Sequence, residues 1–210
     1  MLAGQRLRIP VFPLGGALLF PRSQLPLHIF EPRYRAMVRD ALAGDKLIGM
    51  IQPRGAGDVP GLFGIGCIGR IEGWEELPDG RYNVVLEGLA RFRIAEEPQV
   101  DTPYRQVEAD CSGFDDGEDE VLASIQRAEL EREARRYADA LGYAVDWEAV
   151  GTLDDEMLVN GIAQIAPLDV GSKQALLEAG GITDRADLLV QFMQFQRMLP
   201  GGADGPGTLQ

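Results

Sequence analysis

Short apolar runs broken by glycine and proline dominate the first half of the chain, from Arg6 to about Cys111. Runs rich in β-branched and aromatic residues, bounded by turn residues, are typical of β-strands. They predict strands at Leu7–Phe12, Leu25–Ile29, Leu47–Gln52, Ile65–Glu76, Arg81–Glu96 and Arg105–Cys111. The pattern therefore indicates a compact and mostly antiparallel β domain.

Two local signals add detail to this β domain. The segment Leu77–Gly80 (LPDG) predicts a hairpin turn, because proline presets one turn dihedral, aspartate bonds the nearby backbone and glycine tolerates a positive φ. Between Arg33 and Leu42 the apolar residues instead recur at helical spacing, and Pro32 is suited to a first helical turn. We therefore expect one helix inside the β domain.

After an acidic segment at residues 112–120 (SGFDDGEDE), the apolar positions take up the period of helices. A long helix is expected from about Asp119 to Leu141, with an apolar face that opens with Val121, Leu122, Ile125 and Ala128. The other expected helices are one at Met157–Ile165 before Pro167, a short one capped by Asp169 that runs through Glu178, and one capped by Thr183 that runs to about Met198. The second half is thus expected to contain four helices.

These patterns predict the organisation of the whole chain. We expect a β domain with one helix at residues 1–112, an acidic linker at 113–119, a helical bundle at 120–199 and a flexible tail at 200–210. Strands followed by helices in this way indicate the α+β class. The acidic linker has a second interpretation, an attractant for basic partners, although runs of like charge usually form solvated surface.

An excess of acidic residues limits the partners that the chain attracts. The 33 acidic and 20 basic residues give a formal net charge of −13, which repels nucleic-acid phosphates and anionic lipid at long range. Neither nucleic acid nor membrane is therefore an expected partner. No signal peptide is visible at the start and no apolar stretch reaches about 18 residues, so a cytoplasmic location is expected.

The residue types that catalysis most often uses are scarce. His28 is the only histidine, and a surface or supporting position is expected for it. Cys67 and Cys111 have neither metal-ligand spacing nor a CxxC partner, so reduced and partly buried thiols are expected. Ser172 and Lys173 are neighbours, but consecutive helical residues point about 100° apart and do not face each other. No catalytic residue, metal or cofactor is predicted.

Three glycines, Gly64, Gly66 and Gly69, match the dinucleotide-binding pattern GxGxxG. In that motif a strand precedes the glycines and a helix begins at the last one, whereas here they lead into a segment of extended character. Bulges or tight packing in a strand are the better interpretation. The chain also lacks GxxxxGK[ST], the loop that holds the β- and γ-phosphates of ATP, so ATP hydrolysis is not expected.

Aromatic residues near prolines, glycines or strand ends remain as candidates for binding. They are Phe12, Phe20, Phe30, Tyr34, Phe63 and Trp74. Most are expected in the core. Any that share an exposed patch would hold an extended or unfolded peptide, because burial of aromatic area contributes affinity without demanding a particular sequence.

Several blocks of the sequence resemble the amino-terminal substrate-binding domain of Lon proteases. They are IPVFPLGGALLFP from Ile9, PLHIFEPRYRAMVRDAL from Pro26, IGMIQP from Ile48, FGIGCIGRI from Phe63, LPDGRYNVVLEGLARFRI from Leu77 and PLDVGSKQALLEAGGITDRADLLVQFM from Pro167. The resemblance covers nearly the whole chain and weakens over the acidic linker and the first long helix.

The resemblance implies a PUA-like β subdomain followed by a helical bundle, and recognition of an unfolded polypeptide or protein partner in protein quality control. It carries over no catalytic residue, because the matched blocks contain none. Full-length Lon proteases continue into an ATPase and a Ser-Lys peptidase domain. The resemblance therefore implies a stand-alone binding module that is not an enzyme and needs no cofactor.

Two alternatives stay open beside this hypothesis. PUA-like folds also occur in RNA-binding proteins, although the net charge argues against RNA, and a salt-paired surface is the better interpretation of Arg22, Arg33, Arg35 and Arg39. The other alternative is a peptidase or ATPase component that acts with a separate Lon protease, and the missing phosphate loop and Ser-Lys dyad argue against it.

Overall fold

The computed structural model describes residue 2, residues 4–55, residue 57, residues 60–114, residue 116 and residues 120–198. Its strands are β1 (Arg6–Pro13), β2 (Gln24–Ile29), β3 (Leu47–Ile51), β4 (Pro53–Arg54), β5 (Gly61–Leu62), β6 (Ile65–Glu76), β7 (Tyr82–Glu96) and β8 (Gln106–Asp110). Its helices are α1 (Pro32–Ala43), α2 (Ser124–Leu141), α3 (Trp147–Gly151), α4 (Asp155–Ile165), α5 (Val170–Glu178) and α6 (Ile182–Met198).

The predicted elements of the first half are all present, with ends that differ by at most one residue. The predicted tail at 200–210 lies outside the described residues, as do residues 115 and 117–119 of the predicted linker.

Six strands form one sheet in the order β2-β7-β6-β3-β1-β8, and β8 also pairs with the far end of β7. This extra pairing closes β7, β6, β3, β1 and β8 into a ring and leaves β2 as an edge strand. The 15-residue strand β7 reaches both neighbours, because its first six residues pair with β2 and its end pairs with β8. Within this sheet only β1 and β3 run parallel. The expected α+β class, with a mostly antiparallel sheet, is confirmed.

Alternate side chains of these strands fill the interior of the ring. The buried cluster comprises Ile9, Val11, Ile51, Ile68, Phe92, Val107, Ala109 and Cys111. The GxGxxG glycines belong to this packing: a Cβ on Gly66 would lie 2.5 Å from the carbonyl oxygen of Met50 and 2.7 Å from the ring of Phe92. Gly66 and Gly69 lie inside β6 and no helix follows them, so close packing accounts for the pattern.

The turn between β6 and β7 has the predicted hairpin geometry. The N–H of Gly80 donates to the carbonyl of Leu77 at 2.8 Å, and the φ of Gly80 is 75°. Asp79 Oδ1 accepts the N–H of Arg81 at 3.1 Å, which is the local aspartate bond expected from the sequence. A side chain on Gly80 would also overlap the Arg35 guanidinium. The guanidinium ends a flexible side chain that can move aside, so it is the positive φ that favours glycine there.

The described residues divide into two compact units, and α5 belongs to the first unit with α1 and the strands. Hydrogen bonds of buried polar side chains connect α5 directly to residues of the sheet region. Gln174 Nε2 donates to the carbonyl of Ile65 at 3.1 Å, and Gln52 Nε2 donates to the carbonyl of Val170 at 3.1 Å. The helix was expected in the bundle at 120–199. Its position differs because these side-chain bonds depend on residues more than 100 positions away, which helical periodicity does not reveal.

The second unit contains α2, α3, α4 and α6. Helices α2 and α6 run in the same direction, since Gln126 and Asp187 meet near their starts at 3.4 Å and Tyr137 and Gln196 meet near their ends. Glu133, which is 2% exposed, accepts a hydrogen bond from Arg197 Nε at 2.7 Å. The buried face of α2 comprises Leu130, Glu133, Ala134, Tyr137 and Ala138.

The start of α2 corrects the sequence prediction. The helix begins at Ser124 rather than near residue 119, and Val121 and Ile125 are 81% and 78% exposed instead of opening an apolar face. The residues before the helix bond to other helices: the N–H of Leu122 donates to Asp155 Oδ2 at 2.8 Å, and Glu120 accepts the N–H of Ile182. These long-range bonds hold the segment out of the helix.

Two further predictions for this unit are wrong. A short helix, α3, stands between α2 and α4, so the described second half contains five helices rather than four. Asp146 caps α3 by accepting the N–H groups of Glu148 and Ala149 at 3.1 Å. Thr183 lies inside α6, whose first N–H bonds to Glu120. Within the described residues, no helix is long and apolar enough to cross a bilayer.

Candidate functional site

Three of the six candidate aromatic residues lie in the interior. Phe12, Phe20 and Tyr34 are 7%, 0% and 6% exposed. The rings of Phe12 and Tyr34 contact each other with centroids 4.4 Å apart. Neither their proximity to proline nor their position at strand ends brings them to the surface. These three residues are therefore part of the core and cannot contribute to an exposed patch in this conformation.

The other three candidates do not form one patch. Phe63 is partly buried and precedes the start of β6, whereas Trp74 lies near its end. Trp74 lies nine positions after Ile65 along β6, which corresponds to about 30 Å at roughly 3.3 Å per residue. Phe30 and Trp74 are 60% and 50% exposed. They lie near the same end of the sheet, since β2 and β6 both pair with the start of β7.

Phe30 and Trp74 belong to opposite faces of the sheet. Trp74 pairs with Val84, which pairs with Leu27 of β2, and residues directly opposite one another share a face. Phe30 follows His28 by two residues, and its ring lies 6.4 Å from the His28 ring at an angle of 27°. On its own side, Trp74 holds the Lys46 ammonium 4.6 Å from its ring centroid. This cation–π contact occupies one ring face.

A groove of about 540 Å³ lies over the side of the sheet formed by β2, β7 and β6. Six lining residues belong to the face of His28: Pro26, His28, Gly73, Glu75, Asn83 and Val85. The other three, Leu27, Trp74 and Val84, belong to the alternate positions of the same strands. Pro26 pairs with Val85, which pairs with Gly73, so these three positions form an apolar row across the strands. We call this surface the β2–β7–β6 groove. Phe30 is not one of the lining residues, and its ring lies next to the groove, beside the ring of His28.

A polar row borders the apolar one. His28 pairs with Asn83, which pairs with Glu75. The ring Nδ1 of His28 is 2.8 Å from Asn83 Oδ1, and Asn83 Nδ2 donates to Glu75 Oε2 at 3.2 Å. Arg81 Nη1 is 3.3 Å from Nε2 of His28. A guanidinium only donates, so Nε2 accepts and Nδ1–H donates to Asn83. The contacts thus select one neutral tautomer of His28.

Arg81 is itself bound by a carboxylate. Its Nε donates to Asp79 Oδ2 at 2.6 Å, and Nη2 lies at the same distance from that oxygen. The side-chain hydrogen bond with Arg81 lowers the pKa of Asp79, and the same bond raises the pKa of Arg81. Both groups are exposed, so solvent screens the pair. The positive charge nearest to His28 is therefore compensated within the turn.

The free edge of β2 is interrupted by Pro26. The N–H of Gly88 in β7 donates to the carbonyl of Ser23 at 2.9 Å. Backbone groups of alternate residues point to the same side of an antiparallel strand, so those of Leu25, Leu27 and Ile29 also point toward β7. The backbone groups of Pro26 and His28 then point away from β7, toward the outer edge of the sheet. Proline has no N–H, so the outer edge lacks a donor where an added strand would need one. The outer edge of β2 is therefore poorly suited to pairing with an added strand.

Groups with potential nucleophilic chemistry are engaged elsewhere. Lys173 Nζ donates to the carbonyl of Gly16 at 2.7 Å, and burial lowers its pKa. Ser172 Oγ donates instead to Asp169 Oδ2 at 2.6 Å, so Ser172 and Lys173 do not form a dyad. Burial raises the pKa of the Cys67 thiol, and it raises that of Cys111 to about 11. Both cysteines are free thiols, and both are fully rather than partly buried.

Metal-ligating side chains are dispersed in the described part of the chain. No group of three or more histidine, cysteine, aspartate or glutamate residues with suitable geometry occurs there.

Sequence reasoning missed most of the residues that line the groove. It singled out His28 as a surface residue, and the structure places it there. It did not identify Pro26, Val85, Asn83 or Glu75, because their proximity depends on the register of two strand pairs. One usable signal was present: a proline within a predicted strand indicates an edge strand.

The chain matches a known protein family over most of its length. The model of the ATP-dependent protease La (LON) substrate-binding domain matches residues 8–194. Among curated relatives, a Lon protease of Anaeromyxobacter dehalogenans is 29% identical over 197 residues, which is 90% of this chain and 23% of the relative. The Lon protease of Escherichia coli strain K12 is 28% identical over 204 residues, or 90% of this chain and 25% of the relative. The chain thus spans about a quarter of the length of these relatives.

Solved structures share the fold. A Lon N-terminal domain protein from Xanthomonas campestris superposes with a TM-score of 0.63 and 22% identity, covering 92% of this chain and 99% of that one. The N-terminal domain of a Mycobacterium avium complex Lon protease gives a TM-score of 0.65 and 20% identity, with 90% and 98% covered. At these identities the likeness concerns the fold, and the family assignment rests on the sequence match. The chain belongs to the family of the Lon protease substrate-binding domain.

Proposed function

We propose that this chain is a non-catalytic module that binds unfolded or extended polypeptide at the β2–β7–β6 groove, in the context of protein quality control. The observation that carries the proposal is the apolar row of Pro26, Val85 and Gly73 at the solvent surface of the groove. The exposed ring of Phe30 lies next to the groove, beside the lining residue His28. An exposed apolar groove gains free energy when an apolar segment covers it.

The family assignment supports a polypeptide as the ligand. The matched family is described as the substrate-binding domain of an ATP-dependent protease, and the substrate of a protease is a polypeptide. An unfolded chain exposes apolar side chains that a folded protein buries. A surface whose affinity comes from apolar area therefore favours unfolded over folded protein without reading a defined sequence.

The charge distribution favours polypeptide over RNA. Two arginines of the first unit are paired with carboxylates of their own segments: Arg33 lies 2.9 Å from Glu31, and Arg81 lies 2.6 Å from Asp79. With a net charge of −13, the chain offers phosphates no long-range attraction. The salt-paired interpretation of Arg33 agrees with this geometry, and the residues that line the groove include the carboxylate of Glu75 and no lysine or arginine.

Titration with a labelled, permanently unfolded polypeptide and with a folded control protein tests the proposal. We expect saturable binding of the unfolded chain at micromolar concentration and none of the folded control. Phe30→Ser removes the exposed ring beside His28, next to the groove, and is expected to weaken binding about five-fold, as partial burial of one aromatic ring contributes roughly 1 kcal/mol. No preference for the unfolded chain would contradict the proposal.

A matched control separates the groove from general stickiness. Phe195 of α6 is 63% exposed, close to the 60% of Phe30, and belongs to the second unit, whereas the groove residues and Phe30 belong to the first. Phe195→Ser is expected to leave the affinity unchanged. An equal loss in both variants would show that exposed aromatics act without a defined site. Turnover of casein or ATP by the purified chain would contradict the non-catalytic part of the proposal.

A further inference from the structure

The two rows of residues on either side of the apolar row carry carboxylates. On one side, Gln24 pairs with Glu87, which pairs with Arg70. On the other side, Glu75 ends the polar row of His28 and Asn83. The apolar positions Pro26 and Val85 thus lie between Glu87 and Glu75, all on the same face of the sheet by the alternation of side chains along strands.

Among the residues that the structure describes, neither Glu75 nor Glu87 forms an ion pair within 4.0 Å. Glu75 accepts its hydrogen bond from the uncharged amide of Asn83. The neighbouring cations have other partners: Arg70 lies 3.8 Å from Glu72 and Arg81 lies 2.6 Å from Asp79. Negative charge on both sides of the groove is therefore available to a ligand.

We propose that the β2–β7–β6 groove selects extended segments in which an apolar residue is flanked by lysine or arginine. This inference rests on the proposed function and deepens it by naming the class of substrate. The apolar side chain covers Val85 and Pro26, and the flanking cations approach Glu75 and Glu87. Charge complementarity of this kind sets which partner binds and how fast more than it sets the total affinity.

The spacing of the rows gives the expected spacing in the ligand. Glu87 lies four positions after Asn83 along β7, which corresponds to about 13 Å along the strand. Asn83 is in turn the cross-strand partner of Glu75. In an extended peptide, side chains two positions apart lie on one side and are separated by about 6.6 Å. An apolar residue at one position therefore places residues two positions before and after it close to the two carboxylates.

Two labelled peptides of equal length and equal apolar content test the inference by fluorescence anisotropy. One carries lysine two positions before and after a central leucine, and the other carries glutamate at the same two positions. The native chain is expected to bind the lysine peptide about ten-fold more tightly at low salt. This preference should shrink in high salt, because exposed charges are screened.

The double substitution Glu75→Gln and Glu87→Gln is expected to remove most of this preference. A glutamine at position 75 keeps an oxygen that accepts from Asn83, so the polar row has the means to persist. The control carries Asp139→Asn and Glu148→Gln, which change the net charge equally at exposed positions of α2 and α3. The control is expected to keep the preference. Unchanged thermal midpoints would show that both variants are folded.

The outcomes separate this inference from the proposed function. Equal affinities of the two peptides, or a preference that survives the Glu75 and Glu87 substitutions, would overturn the inference alone. Binding of the unfolded polypeptide without binding of either peptide would also overturn it. If the native chain binds neither the unfolded polypeptide nor either peptide, both the inference and the proposed function are overturned.

Discussion

Arg91 and Asp116 form a buried ion pair in the first unit: Nη2 lies 2.9 Å from Oδ1, and the side chains are 3% and 10% exposed. The same carboxylate accepts the backbone N–H of Arg91 at 2.8 Å. The guanidinium also donates to the carbonyl of Leu177 and lies 4.8 Å from the ring centroid of Phe114. One arginine of β7 thus bonds to α5 and to two residues of the acidic segment.

Asp116→Ala is expected to lower the free energy of unfolding by about 3–5 kcal/mol, because it leaves a buried guanidinium without its counter-charge. Urea denaturation monitored by circular dichroism measures this loss. Glu108→Ala is the control, since the Arg8–Glu108 pair has side chains 56% and 30% exposed and is expected to contribute less than about 1 kcal/mol. Similar losses in both variants would contradict a special role for burial.

Asp110 is expected to titrate with a pKa of about 2, well below the ordinary value of 3.8. The hydrogen bonds from the Ser112 hydroxyl and N–H are the main cause, and Arg6 adds to them. Because the folded-state pKa is depressed, this carboxylate stabilises the fold above about pH 4, and its contribution disappears as the pH falls through the folded-state value.

A carboxyl-detected NMR titration of Asp110 checks this expectation in the native chain and in Ser112→Ala. Removal of the hydroxyl donor is expected to raise the pKa toward 3.8, while the Ser112 N–H and Arg6 keep part of the shift. Identical titration curves would refute the assignment of the shift to Ser112.

Pro26→Val is expected to increase self-association. The substitution restores an N–H on the outward edge of β2 while it keeps an apolar side chain in the groove. Sedimentation velocity over a range of protein concentrations measures the effect. Pro103→Val is the control, because Pro103 is exposed in a bend outside the strands. A monodisperse Pro26→Val protein that sediments like the native chain would argue that the β2 edge is protected by other means.

His28 is expected to be the Nδ1–H tautomer when neutral, since Nε2 accepts from Arg81 and Nδ1 donates to Asn83. The ¹⁵N chemical shifts of the imidazole ring distinguish the two tautomers. Asn83→Leu removes the acceptor of the Nδ1 proton and is expected to shift the population toward the Nε2–H form. A native ring already dominated by Nε2–H would contradict the geometry of the polar row.

Local chemistry accounts for the features that could be predicted. The Leu77–Gly80 turn depends on proline, aspartate and glycine within four consecutive residues, and β6 was predicted with its observed limits. The cap of α5 by Asp169 follows from the same kind of contact, a hydrogen bond of 3.0 Å from the N–H of Ser172. Interactions between residues three or four positions apart depend only on the types of those neighbouring residues, so they can be predicted from the sequence.

The candidate site was harder to predict for a physical reason. Phe12 and Phe30 both stand near prolines in the sequence, yet one is 7% and the other 60% exposed. The difference arises from which distant element packs over each ring. Likewise, Glu75, Asn83 and His28 come from three strands, and only the pairing register brings them into one row.

Strand limits, most helices and the α+β class are therefore present in the order of residues, because short-range hydrogen bonding and the alternation of apolar positions determine them. The family is also evident from the sequence, through its resemblance to other members. The groove, the assignment of α5 to the sheet unit, the late start of α2 and the burial of three aromatics required the folded chain. Each depends on contacts between residues far apart in sequence, such as Glu120 with Ile182 or Gln174 with Ile65. Such contacts form only when the strand register and the packing of helices place those residues together.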